Sequence, residues 1–144
     1  MTAWHEYAEG VKNGKITACK RLKQAVKRYF SDLENSLYTF DPEVVERFIA
    51  FSRVCPHVKG AMRGSPIELE PWQQFAFACI LGFKVKATGR RKYTSAFIEV
   101  PRKNAKSTVA AILANWFLVM ENGQQDIYTA AVSRDQARIV FDDA

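Results

Sequence analysis

A chain of 144 residues is long enough for one compact domain with a sizeable core. With 48% hydrophobic and 12% aromatic residues, it is too rich in core-forming side chains for wholesale disorder. The formal charge of +6 favours polyanionic partners such as nucleic acid or nucleotide phosphates, and it equally suits a soluble protein with a basic face.

Three widely spaced cysteines, Cys19, Cys55 and Cys79, with no CxxC, point to reduced thiols in a cytoplasmic setting. His5 and His57 show no ligand spacing relative to them, which argues against a metal site. No apolar run is long enough to span a bilayer, so no membrane partner is expected. "MTAWHEYAEG" lacks the basic start and apolar core of a signal peptide.

Residues 1–40 read as helical. In "CKRLKQAVKRYFSDL" the positions Leu22, Ala25, Val26, Tyr29, Phe30 and Leu33 follow helical spacing. Lys20, Arg21, Lys23, Lys27 and Arg28 share the other face, either as a solvated surface or as a nucleic-acid face. "TFDPEVVERFIAFSRV" is a second helix, with Asp41 as its cap and Pro42 at its first position. "CPHVKGAMRGSPI" is a Gly/Pro loop. A further helix opens at "LEPWQQFAFACILGF", again with a proline, Pro71, at its start.

"KATGRRKYT" then reads as a basic turn, and "TSAFIEV" as a short buried strand. "STVAAILANWFLVMENG" is apolar almost all round and is expected to be a buried helix ending near Gly123. "DIYTAAV" reads as another strand. "SRDQARIVFDDA" opens with Ser133 and Gln136 in capping-box spacing, which predicts a helix. From residue 94 the order is strand, loop, helix, strand, helix. That is the start of an α/β fold with a parallel sheet.

The loop after the first of these strands, "VPRKNAKST", places Lys106 and Ser107 between a strand and a buried helix. A phosphate-binding loop needs that context: backbone N–H groups and a helix N-terminus aimed at an anion, a lysine for the outer phosphates, and a hydroxyl for Mg²⁺. The strict pattern GxxxxGK[ST] fails twice, with Val100 at the first glycine and Ala105 at the second. The second departure matters more, because glycine takes unusual dihedrals and lets backbone approach phosphate closely. From these residues alone, nucleotide binding and a basic structural turn both stand.

"VPRKNAKST" resembles the divergent Walker A of phage terminase large subunits. "YAEGVKNGKITACKRLKQAVKRYFSDL", "LEPWQQFAFACILGF", "GRRKYTSAFIEVPRKN" and "IYTAAVSRDQARIVFDDA" resemble the N-terminal part of the same family, in the same order. The family's members are ATP-driven motors that move viral DNA into a procapsid, with an N-terminal ATPase domain and a C-terminal nuclease domain. The resemblance implies N-terminal helices over 1–65, followed over 66–144 by the first, incomplete part of a P-loop NTPase parallel sheet. It also implies ATP and Mg²⁺ as cofactors. Lys106 is then the residue for the β- and γ-phosphates, and Ser107 the Mg²⁺ ligand beside Thr108. Asn104 and Ala105 offer backbone N–H groups. Arg102 matches the family's basic position and would stabilise charge during phosphoryl transfer. Lys103 is either part of the loop or an exposed charge.

"LEPWQQF" is similar to the family's adenine-recognition segment, which makes Gln73 the base contact. Its spacing from Glu70 also suits a simple helix cap. Trp72 is read as core. "RIVFDD" looks superficially like a Walker B strand ending in Asp142 and Asp143, but its capping signal and helical spacing make it a helix. Arg90 and Arg91, on an apparent turn, are candidates for a trans-acting arginine.

The chain stops before the expected Walker B acid and the nuclease domain. The expectation is therefore a truncated or degenerate terminase large subunit that binds nucleotide and hydrolyses it poorly. Double-stranded DNA, a portal protein, a small terminase subunit and a homo-oligomeric ring are the partners the family implies, in the host-cell cytoplasm. The alternative from another class is a non-enzymatic DNA- or protein-binding remnant of prophage origin. A different P-loop family, such as a helicase, fits residues 1–90 less well.

Overall fold

The computed structural model describes residues 2–121 and 125–144. The expected helix end at Gly123 lies outside them. Six helices and two short strands follow in the order α1 (Ala3–Lys12), α2 (Lys20–Glu34), β1 (Tyr38–Phe40), α3 (Pro42–Val54), α4 (Pro71–Gly82), β2 (Phe83–Val85), α5 (Lys106–Met120) and α6 (Arg134–Asp143). The chain divides into two compact units, Met1–Ile49 with Leu69–Phe97, and Ala50–Glu68 with Ile98–Ala144.

The first unit is built on helical spacing. Trp4, Ala8 and Val11 bury one face of α1, and Val26 and Tyr29 bury one face of α2. Tyr29 meets Phe30, Phe40, Phe75 and Phe83 edge-on, with ring centroids 5.3, 5.9, 5.5 and 5.7 Å away. Burial pushes its phenol up to about 12. Phe48 of α3 packs on Phe77 of α4, with centroids 4.5 Å apart. Asp41 caps α3 as its sequence predicts: Oδ1 accepts from the Val44 N–H at 3.3 Å. Gly82, the last residue of α4, lies against Phe40, where a Cβ would sit 2.9 Å from Cζ and closer still to Cε2.

β1 and β2 form an antiparallel pair in the register Tyr38↔Val85, Thr39↔Lys84, Phe40↔Phe83. This pair departs from the helical reading of residues 1–40. Each strand has three residues, too few for an alternating pattern to show in sequence. Next to it lies a buried ionic cluster. Asp32 is 7% exposed and takes both the Lys92 ammonium and the Tyr93 hydroxyl. Lys92 also sits 3.9 Å from the Tyr38 ring centroid.

In the second unit, Trp116 of α5 meets Phe51 of α3 at 5.6 Å. Ser52 Oγ donates to the Ile67 carbonyl at 3.3 Å. The 55–67 loop closes through His57 N–H to the Ser65 carbonyl (2.9 Å) and Ile67 N–H to the Cys55 carbonyl (3.1 Å). Lys59 then pairs with Asp143 of α6 at 2.7 Å. The Asn115 amide donates to the Ala144 carbonyl at 2.8 Å.

Two expectations are corrected here. Among the described residues there is no parallel sheet: the one sheet is β1–β2. "TSAFIEV" and "DIYTAAV" run without ladder partners, and Phe97, Ile98, Tyr128 and Val132 are exposed. Strand-like composition does not make a strand without a neighbour to satisfy its N–H and C=O groups. For the same reason α5 is not buried all round. Ala111, Ile112 and Trp116 are buried, while Leu118, Val119 and Met120 are exposed.

Candidate functional site

Residues 101–105 form the turn that delivers the chain into α5. Lys103 (φ 67°) and Ala105 (φ 53°) are the non-glycine residues with positive φ among those described. Asn104 between them is not in that region. Left-handed residues in a turn can direct neighbouring N–H groups to one side, as in an anion-binding nest. The Asn104 side-chain amide holds the turn by donating to the carbonyls of Pro101 and Arg102, each at 3.2 Å.

Ala105 is the N-cap of α5, left-handed at φ 53°, ψ 27°, and has no side-chain oxygen to cap the helix. The first N–H groups of α5 therefore lack both an intrahelical partner and a side-chain cap. The first turn carries no acidic residue, so the positive end of the helix dipole is uncompensated. Lys106 opens the helix. Its ammonium folds back to donate to the carbonyls of Val100 and Pro101, both at 2.9 Å. Ser107 and Thr108 follow, half-buried. Arg102, Lys103 and Lys106 are exposed, and no Asp or Glu occurs from 100 to 108. Arg102 through Thr108 thus carry three cations, two left-handed residues, a helix N-terminus without a side-chain cap and two hydroxyls. The chemistry these groups share is recognition of a multiply charged anion such as a polyphosphate. Ser107 and Thr108 are the hydroxyl oxygens of this stretch, and the cations and N–H groups beside them suit an anion alone.

Gln73 lies in the other unit, at the third position of α4. Its Oε1 accepts from the Glu70 N–H at 2.8 Å, while the Glu70 side chain takes the N–H of residue 73. This is a complete capping box. Trp72 beside it is half-buried. Asp142 and Asp143 lie on α6, whose N-cap Ser133 accepts from the Gln136 N–H at 3.3 Å. Asp142 pairs with Arg138 at 3.1 Å and Asp143 with Lys59 at 2.7 Å. The helical reading of "RIVFDD" therefore holds. Sequence reasoning missed the Asp32–Lys92–Tyr93 cluster, whose members lie some sixty residues apart and carry no local signal.

Residues 71–144, just over half of the chain, match the family described as terminase large subunit, ATPase domain. The match runs through α4, the 101–105 turn, α5 and α6. No curated protein and no solved structure matches.

Proposed function

Because the chain belongs to the terminase large subunit family through its ATPase domain, we propose that residues 101–108 are its nucleotide phosphate loop and that it is the ATP-binding part of a viral DNA-packaging motor. The observation that carries this is the left-handed backbone at Lys103 and Ala105 leading into α5 at Lys106. A merely basic turn has no need of two strained non-glycine residues.

Lys106 binds the outer phosphates. To do so it exchanges the Val100 and Pro101 carbonyls for phosphate oxygens, and the charge-assisted bond favours the exchange. The N–H groups of Lys103, Asn104 and Ala105 and the N-terminus of α5 hold the remaining oxygens, with Ser107 as the Mg²⁺ ligand and Thr108 beside it. The metal, when bound, supplies neutralisation of charge on the phosphates. Arg102 stabilises charge on the transferred group.

Efficient hydrolysis needs a group that orients the attacking water. The loop carries no carboxylate, and the two acids of α6 are tied to Arg138 and Lys59. Residues 1–144 by themselves are expected to bind Mg-ATP and to turn it over at close to background rate. DNA, portal protein, small subunit and a ring of copies are the partners this reading implies, in the host-cell cytoplasm.

Titration calorimetry with Mg-ATP on the 144-residue chain and on Lys106→Ala tests the reading. Binding that falls at least about tenfold in the variant, a loss of about 1.4 kcal/mol, is expected. Equal binding by both proteins would remove the loop from the account. ATP turnover that disappears in Lys106→Ala would overturn the claim of inactivity.

A further inference from the structure

We propose that Asn13, the C-cap of α1, is a self-modification site: the Gly14 backbone nitrogen attacks the Asn13 side chain, the amide becomes a carboxylate, and the last turn of α1 is loosened. The nitrogen forms a bond to Cγ and gives its proton to solvent base. The Cγ–Nδ2 bond breaks, and ammonia leaves with a proton returned from solvent. Water then opens the cyclic imide to aspartate or isoaspartate. Nothing is oxidised or reduced, and water is the one co-reactant. No step involves the 101–108 loop.

The surroundings of Asn13 set it apart from the other asparagines among the described residues. Asn35, Asn104 and Asn115 precede Ser36, Ala105 and Trp116, whose side chains shield the backbone nitrogen that would attack. Their own side chains are tied to the main chain: Asn35 Oδ1 accepts from the Leu37 N–H at 3.0 Å, Asn104 donates to two carbonyls and Asn115 donates to the Ala144 carbonyl. Asn13 precedes glycine, and both residues are exposed. Apart from its chain neighbours, no atom lies within 4 Å of where a Cβ on Gly14 would stand. Solvent base therefore reaches the attacking nitrogen freely.

The turn also permits the motion that ring closure needs. Asn13 sits at φ −87°, ψ 3°, and the Gly14 nitrogen is then out of line with Cβ. The 13–14 peptide plane must turn over. It can do so alone, with ψ of Asn13 rotating one way and φ of Gly14, at +74°, rotating the other. Glycine accepts either sign of φ. The bond that breaks, from the Gly14 N–H to the Val11 carbonyl, is 3.3 Å long, beyond the usual range of about 2.7–3.2 Å. The bonds that anchor the turn on either side stay in place: Asn13 N–H to the Glu9 carbonyl and Ile16 N–H to the Gly10 carbonyl, both 2.9 Å.

The product changes what α1 ends on. The Asn13 amide donates to Glu9 Oε2 at 3.1 Å. After reaction two carboxylates face each other there, at the negative end of the helix dipole.

The test ages the full chain at mildly alkaline pH beside a capped peptide of residues 10–17 and maps acid formation by mass spectrometry. Asn13 is expected to convert within about tenfold of the peptide's rate, because helix ends open at little cost, and to convert faster as pH rises. Asn13→Gln, whose ring would need one more atom, is expected to stay an amide. Asn13→Asp is expected to melt about 2–4 °C below the parent at neutral pH and level with it at about pH 2, where both carboxylates are protonated. Asn122, also followed by glycine, is mapped in a separate peptide. An Asn13 that is still an amide when the peptide has fully converted overturns the proposal. So does conversion of Asn35 or Asn104 as fast as that of Asn13. An Asn13→Asp chain as stable as the parent at neutral pH overturns the loosening of α1.

Discussion

Ala105→Gly is expected to stabilise the protein, although glycine usually costs stability. Ala105 sits at φ 53°, ψ 27°, where a side chain crowds the following carbonyl at a cost of about 1–2 kcal/mol. Glycine avoids that crowding. It is also the better N-cap, but that preference largely reflects the same backbone freedom and is not added again. Against the gain stands the larger freedom of glycine in the unfolded chain, about 0.4–1 kcal/mol. The net expectation is about 1 kcal/mol of stabilisation, or a melting temperature higher by about 3–4 °C for a chain of this size. Urea denaturation reads it as a raised midpoint at unchanged slope. Lys103→Gly, at φ 67°, should act in the same direction, and Mg-ATP affinity should rise in Ala105→Gly because backbone approaches phosphate more closely. The reasoning fails if Ala105→Gly destabilises by about 0.4–1 kcal/mol, the ordinary entropic cost of glycine. That sign would mean residue 105 is not left-handed in solution.

Asp32→Ala strands the Lys92 ammonium, whose side chain is 15% exposed. It is expected to cost about 3 kcal/mol by urea denaturation, and a loss under about 1 kcal/mol would show the pair to be solvated. Gly82→Ala forces a Cβ into the Phe40 ring and should cost about 1–3 kcal/mol; an unchanged melting temperature would contradict that close approach. The hydrogen bond from Lys84 holds the Asp41 carboxyl below its ordinary value, against the opposing effect of partial burial. A lowered carboxyl stabilises the fold above the ordinary value of about 4, and the contribution disappears as pH falls through the lowered one. With the two side chains 36% and 29% exposed, the pair is worth about 0.5–1 kcal/mol. The stability difference between the parent and Lys84→Met should therefore be present at pH 7 and vanish toward pH 2, and a difference constant with pH would refute the assignment.

Legibility in this sequence follows the range of the interaction. Asp41 before Pro42, Glu70 before Pro71 with Gln73, and Ser133 with Gln136 announce helix starts. Each works through a side chain and a backbone N–H three residues apart. The turn proposed as a phosphate loop was signalled in the same local way, by Lys106 and Ser107 where the chain enters a helix. Its strain was not, because positive φ at Lys103 and Ala105 runs against what those residue types prefer.

The non-local contacts were not readable. β1 and β2 pair across some forty residues, and Asp32 meets Lys92 and Tyr93 across sixty. "TSAFIEV" and "DIYTAAV" carry strand composition, but a strand is a property of two segments, and neither finds its second among the described residues. The all-round apolar pattern of α5 predicted burial on every side, and without a sheet only the side holding Ala111, Ile112 and Trp116 is covered.

Amide hydrogen exchange across residues 102–108, with and without Mg-ATP, tests the central claim most directly. The account predicts that Mg-ATP slows exchange of the Lys103, Asn104, Ala105 and Lys106 amides in the parent and leaves them unchanged in Lys106→Ala. Exchange there that is indifferent to Mg-ATP, with protection arising elsewhere or nowhere, would contradict it.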